Sequence, residues 1–357
     1  MVACDGVKSS KAEVISGVPQ GTVLGPVLFL VLILDIAEKV SHGTKVSSFA
    51  DDTRASRGMK TSSDPVQLQR DIETIYKWAS DVNMEFNGDK FECIRVWPDE
   101  ELGMVFEELK YVNEVGETIE EKENLKDLGI QLSNDLTFSK HIAKVVSSCN
   151  KIVGWAMRTF RTRNKSTMLV IWNSMIQSRL DYCSQLWSPS LASEISKLED
   201  VQRQFTKKIE GMEDSSYRER LKKLRMYSQE RRRDRYMVIF VWKIANGLVD
   251  GYKLEFANEG TRRGRECVVA DIVRSSPVSV RRAREKSISV KGARMFNMLP
   301  PYLRNISSDK VHHFKSKLDA FLKEVADEPT SPDEGRIADS NCLLDQIPLA
   351  NINNRIG

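Results

Sequence analysis

The chain of 357 residues is 41% hydrophobic and 29% charged, enough apolar material for a core and enough length for two or three domains. Its net charge of +4 permits a nucleic-acid partner without demanding one. Six cysteines with no C-x-x-C pair and four histidines far from most of them leave no grouped zinc site, and predict free thiols in a reducing compartment.

The opening stretch, MVACDGVKSSK, has no long apolar run of the kind a secretory signal needs. Its first residues read as a hairpin, Val2-Ala3-Cys4 turning at Asp5-Gly6 and returning to Val14-Ile15. SGVPQGTVLGP follows over 16–26, where Gly17, Gly21 and Gly25 interleave with Pro19 and Pro26 to set a fixed loop. The apolar run VLGPVLFLVLILDI over 23–36 contains Pro26 and stops at Asp35. It is short of the roughly 18–20 residues of a membrane span, so it predicts a helix buried inside the protein. The expectation is a soluble intracellular chain, in nucleus or cytoplasm.

Next come a short strand over 46–50, a turn at Asp51-Asp52 and a return over 53–56. Leu68, Ile72, Ile75, Ala79 and Val82 then repeat at helical spacing, with Asp64 placed to cap and Pro65 in the first turn. After the turn Asn87-Gly88-Asp89 a strand is expected over 91–97. This order of elements predicts an α+β domain with a mostly antiparallel sheet.

From Asp135 onward the pattern turns to long helices. Ile142, Val145, Cys149, Ile152, Ala156 and Phe160 form one apolar face; Met168, Ile171, Trp172, Met175 and Ile176 form another. Ile195, Leu198, Val201, Phe205 and Ile209 form a third, ended by Gly211. Residues 217–236 are rich in Lys and Arg, with Ser228 placed to cap a helix through Ile244. Phe314, Leu318, Phe321 and Leu322 close the fold, and the tail after Asp327, with Pro329 and Pro332, has no period and predicts disorder.

An Asp-Asp pair is more often a surface turn than a metal site. Read as a site, Asp51 and Asp52 would aim hard oxygen ligands at one point, which suits Mg²⁺ and nucleotidyl transfer over two metals. A further carboxylate should bridge the metals, and the nearby Asp35, Glu38 and Asp64 stand in no convincing strand context.

The block Ser16-Gly17-Val18-Pro19-Gln20-Gly21-Thr22-Val23-Leu24-Gly25-Pro26, followed by the apolar helix and Phe49-Ala50-Asp51-Asp52, resembles the reverse transcriptases of non-LTR retrotransposons of the jockey and CR1 type. The likeness continues through Trp78, Asn83, Phe86-Asn87 and Lys90, then Leu128-Gly129-Ile130 to His141. It covers the Tyr217, Arg220-Leu221, Leu224 and Ser228 run as well, and extends more weakly to Phe296-Asn297-Met298-Leu299-Pro300 and Phe314-Lys315.

The resemblance implies a partial polymerase palm over 1–132, a helical thumb over 133–211, a basic helical region over 212–327 and a disordered tail over 328–357. It implies an RNA-directed DNA polymerase that takes an RNA template, a DNA primer and deoxynucleoside triphosphates, with Mg²⁺ held by Asp51 and Asp52. Asp51 would be the firmer ligand, Phe49 and Ala50 its neighbours in the motif, and Pro19, Gln20 and Gly21 the nucleotide pocket. Lys90 would serve as general acid toward the leaving pyrophosphate, whose charge grows in the transition state. Leu128 and Gly129 would open the primer grip.

The resemblance also places another catalytic Asp on a strand upstream of Ser16, where this chain has only a hairpin. The expectation is therefore an incomplete metal cage, a chain inactive alone, and poor stability in its first hundred or so residues. A second expectation is a non-catalytic binding module for nucleic acid or protein, built from the thumb and the RERLKKLRMYSQERRRDR run. There Arg231, Arg232 and Arg233 would meet phosphates or serve nuclear import, against the plainer reading of a solvated helix face.

Overall fold

A computed structural model describes residues 3–10, 17–18, 21–96, 109–256, 266–267, 278–307, 311–329 and 340–348. The chain divides into two compact units, Met1–Leu125 and Lys126–Gly357.

In the first unit, Ala3–Cys4 and Val7–Lys8 pair antiparallel. Asp5 (φ 49°) and Gly6 (φ 80°) connect them, both left-handed as a tight two-residue hairpin turn requires. The expected extension to Val14-Ile15 lies outside the described residues. The helix Gly25–Lys39 forms with Pro26 in its first turn. Its burial departs from expectation: only Gly25, Ile33 and Ile36 are buried, while Val31 is 60% and Leu34 66% exposed. An apolar helix is covered all round only between two layers. Among the described residues of this unit Gly25–Lys39 packs on one side, against the Asp64–Asp81 helix and the Thr44–Phe49 strand.

The helix Asp64–Asp81 buries Ile75, Tyr76, Trp78 and Ala79. Ser63, not Asp64, holds its N-cap position. The helix ends at Asn83 (φ 53°), where Met84 N–H reaches Ala79 O at 2.8 Å and Asn83 N–H reaches Ser80 O at 3.1 Å. This double closure needs a left-handed residue, and Asn tolerates that conformation. The strand expected over 91–97 is confined to Glu92–Cys93, which runs parallel to Glu120–Glu121. The described strands form four separate two-stranded pairs rather than one mostly antiparallel sheet. The class is still mixed helix and strand.

The strands Asn124–Asp127 and Ile130–Ser133 form a hairpin at the start of the second unit, whose described residues are otherwise mainly helical. One apolar core gathers Ile142, Cys149 and Ala156 from Ser139–Thr159 with Met168, Trp172, Leu198 and Phe205. Another gathers Val241 and Trp242 from Gln229–Ala245 with Phe296, Phe314, Leu318 and Leu322. Trp242 stacks on Phe314 with ring centroids 4.6 Å apart. Ser228 caps Gln229–Ala245 by accepting the Arg231 N–H at 3.1 Å.

The tail expectation is corrected for the described residues 340–348. Residues 343–348 are helical, and Leu343 and Ile347 are buried in the second core. Asn341 donates to Ser228 Oγ at 3.0 Å and to Asp327 Oδ1 at 2.9 Å. Two apolar residues four apart are one helical turn of pattern, too little to stand out between prolines. No described helix is long and apolar enough to cross a membrane.

Candidate active site

The strands Thr44–Phe49 and Asp52–Arg57 pair antiparallel from Thr44↔Arg57 to Phe49↔Asp52, leaving Ala50-Asp51 as the connection. Ala50 takes the strained half of that turn at φ 53°. Val46 and Ala55 pack against Ile33, Ile36, Ile75 and Trp78, so one face of the hairpin lies on the helices. The tip is open: Asp51 and Asp52 are exposed, and Phe49 is 67% exposed. Ser48 and Thr53 hydroxyls meet across the strands at 3.0 Å just behind it.

The base is locked by charge. Asp71, 2% exposed, accepts Ser41 N–H at 2.9 Å, Ser41 Oγ at 2.7 Å and Thr44 Oγ1 at 2.6 Å. Arg57 donates to Asp64 Oδ1 at 3.0 Å, Ser41 Oγ at 3.1 Å and Thr44 Oγ1 at 3.0 Å, and its Nη1 lies 3.8 Å from Asp71. Burial pushes the Asp71 carboxyl up, but the hydrogen bonds from Thr44, Ser41 and Gln67 outweigh it and hold the group below its ordinary value. Asp64 is held well below the carboxylate range, chiefly by the Lys60 and Thr61 N–H groups and the Thr61 hydroxyl. A fixed base and an open tip are what a metal-holding turn needs.

Sequence reasoning missed Asp71, although its spacing to Ile75, Trp78 and Val82 already puts it on the buried row of the helix. A carboxylate on an apolar row signals a buried acceptor with donors waiting for it.

Lys90 is exposed at the end of the short turn Gly88–Lys90. The next residue, Phe91, stacks on Tyr76 at 5.1 Å, and Phe86 meets both rings edge-on at 5.6 Å. Burial, with Glu114 adding to it, pushes the Tyr76 phenol up to about 12, so this ring cluster stays neutral beneath the turn. Gly21 (φ 76°) is exposed shortly before Gly25–Lys39; Pro19 and Gln20 lie outside the described residues. Leu128 (φ 45°) and Gly129 (φ 88°) form the turn of the second unit's first hairpin, where Leu128 O accepts the Tyr182 hydroxyl at 2.8 Å.

The arginine run is corrected most sharply. Arg231 is fully buried and donates to Val325 O at 3.2 Å and to Ala326 O. Arg232 makes a forked pair with Asp181 at 2.8 and 2.7 Å. Arg233 is 3% exposed, and burial pulls its guanidinium down against the attraction of Glu199, Glu230 and Asp234. Arg231 and Arg233 are turned into the fold, and Arg232, its side chain 29% exposed, is taken up by Asp181, so the run is not a solvated face. Their helix carries Met237, Val238, Val241 and Trp242 into the core further along, and its polar first turns are buried with it.

Two adjacent exposed carboxylates on a fixed hairpin fit Mg²⁺ as donors, since that ion takes one or two carboxylates and keeps water or phosphate elsewhere. No group of three or more His, Cys, Asp or Glu residues converges among the described residues.

Residues 2–132, which hold this hairpin, match the family profile described as reverse transcriptase (RNA-dependent DNA polymerase). That segment is of reverse-transcriptase type. Over 220 residues the chain is 28% identical to an RNA-directed DNA polymerase from mobile element jockey of Drosophila melanogaster, covering 59% of this chain and 23% of that one. It is 25% identical over 217 residues to a probable RNA-directed DNA polymerase from transposon X-element of the same fly, covering 57% and 23%. A jockey polymerase of Drosophila funebris is likewise 25% identical over 222 residues, covering 59% and 23%. The chain thus spans about a quarter of the length of these curated relatives. No solved structure matches it.

Proposed function

We propose that this chain carries the paired-carboxylate part of an RNA-directed DNA polymerase, with Asp51 and Asp52 holding divalent metal for nucleotidyl transfer. The observation that supports this reading is the Phe49-Ala50-Asp51-Asp52 hairpin inside the reverse-transcriptase-type segment, open at the tip and ion-locked at the base. When bound, Mg²⁺ would neutralise charge at the phosphates of the incoming nucleotide. Asp51, in the two-residue connection, and Asp52, which opens the return strand, are the residues to hold it. Lys90, a solvent-facing amine on a rigid aromatic cluster, is assigned to protonate the leaving pyrophosphate. Gly21, where a side chain would be strained by its positive φ, is assigned to the nucleotide pocket with Pro19 and Gln20. The substrates under this reading are an RNA template, a DNA primer and deoxynucleoside triphosphates.

Two carboxylates are fewer than a two-metal site uses, so the chain alone is expected not to extend a primer. Primer extension on an RNA template with Mg²⁺ tests this. Extension that disappears on Asp51→Asn would keep the metal role and overturn the incompleteness. Extension that survives Asp51→Asn together with Asp52→Asn would overturn the whole reading.

A further inference from the structure

The outer face of the Gly25–Lys39 helix is apolar and open. At 100° per residue, Leu24, Val27, Leu28, Val31 and Leu34 fall within an arc of about 120° around the axis. Leu24, at the N-cap, already has helical backbone angles and so extends the stripe. These five side chains are 50–66% exposed. Phe29, Ile33 and Ile36, which pack into the unit's core, occupy the opposite side. The helix therefore carries two apolar faces, and its own unit covers one of them.

The open residues are spaced as a helix-pairing seam. Leu24, Val27, Val31 and Leu34 follow one another at steps of three, four and three, the rhythm by which two helices mesh. Phe29, Ile33 and Ile36 hold the helix from behind, so pairing would order nothing new and cost little entropy. With Leu30, 49% exposed, on its flank, the face offers about 600 Å² of apolar surface. That is the upper end of what a lone chain usually displays. Two such faces together reach about 1,200 Å², the lower bound of stable specific interfaces.

Charge sets the direction of pairing. Asp35 and Glu38 are exposed toward the C-terminal end of the helix, while its first turn holds no acid. Two copies side by side in parallel would bring Asp35 next to Asp35 and Glu38 next to Glu38. In the antiparallel arrangement each copy's acids approach the N-terminal end of the other helix, where the dipole favours negative charge. A two-fold axis level with Phe29 then pairs Leu24 with Leu34 of the other copy and Val27 with its Val31, each contact being made twice.

We propose that this face docks a second copy of the chain, the two Gly25–Lys39 helices packing antiparallel through Leu24, Val27, Leu28, Val31 and Leu34. Val46 and Ala55 of the Asp51-Asp52 hairpin pack on the Ile33 and Ile36 side, so the seam lies away from them. The interface rests on this helix alone and is independent of the polymerase reading.

The test is sedimentation velocity of the full chain between about 1 and 100 µM, the range expected of a small apolar interface. A concentration-dependent shift from one copy to two is expected, with no larger species, because a two-fold seam closes on itself. Val27→Lys and Val31→Glu should each weaken the dimer at least about 100-fold, since each buries two unpaired charges. Both sites are more than half exposed in the single copy, so at low concentration both variants should melt like wild type. Mixed in equal amounts they should recover a dimer, because the antiparallel register sets the new ammonium of one beside the new carboxylate of the other. Leu186→Lys, at a site 53% exposed in the second unit, should leave the dimer intact. A single copy at every concentration, open-ended aggregates, a dimer indifferent to Val27→Lys, or a mixture that stays apart would overturn the proposal. So would binding to uncharged phosphatidylcholine vesicles below the concentrations at which the chain pairs, which would make a lipid surface the occupant. Asp51→Asn with Asp52→Asn should pair like wild type, so failure of the polymerase reading and failure of the seam are separate results.

Discussion

Replacing Arg233 by alanine is expected to destabilise the second unit by about 3–5 kcal/mol, the usual cost of removing one partner from a buried charge cluster. Arg233 lies among Glu199, Glu230 and Asp234, with Lys291 beside the last two. Burial, with Asp234 adding to it, pushes Glu230 up to about 7, and burial likewise raises Glu199. Without the guanidinium, Glu199, which accepts the Tyr217 hydroxyl at 2.6 Å and Glu230 N–H at 2.9 Å, must either stay charged in the interior or take a proton. The melting temperature should fall by roughly 6–20 °C. Arg284→Ala, at an exposed position, should stay within about 0.5 kcal/mol of wild type. If the arginine run served as a displayed cationic surface, the two substitutions would leave stability equally unmoved.

The second large effect is expected at the base of the hairpin. Asp71→Ala removes the acceptor of the Ser41 N–H, the Ser41 hydroxyl and the buried Thr44 hydroxyl, and takes a carboxylate from beside Arg57. Buried donors left without an acceptor cost about 1–3 kcal/mol each, so a loss of about 3 kcal/mol is expected locally. Amide hydrogen exchange across 44–57 should speed up roughly 100-fold, while the second unit's helices keep their protection.

The pH dependence of this lock follows from the Asp71 shift. Its folded value is depressed, so its contribution is complete above the unfolded value of about 3.9 and is lost as pH falls through the folded value. Acid should therefore release the hairpin base of the wild type. In Asp71→Ala that part of the acid response should vanish. A wild type whose 44–57 exchange is flat in acid would contradict the network.

Much of the helical framework was legible because its signals are local and periodic. The 142-145-149-152-156 row names the buried face of Ser139–Thr159, and Ser228 announces the cap of Gln229–Ala245. The hairpin bearing Asp51 and Asp52 was legible from its short strands and turn, and the pairing Phe49↔Asp52 places its tip at the motif. What escaped depends on partners distant in sequence. Arg231 looks like any surface arginine until Val325 and Ala326, more than ninety residues on, turn their carbonyls to it. Asp71 is satisfied by Ser41 and Thr44, which precede its helix and carry no pattern of their own. The Gly25–Lys39 helix shows the converse: composition reports how apolar a segment is, not how many layers are there to cover it.

The account turns on whether Asp51 and Asp52 hold a divalent cation. Paramagnetic Mn²⁺ added to the isotope-labelled full chain reads this directly from the loss of amide signals. The expected result is broadening centred on residues 49–53, competed by Mg²⁺ and absent in Asp51→Asn with Asp52→Asn. Broadening that leaves the hairpin tip untouched, or that persists there unchanged in the double variant, would contradict it.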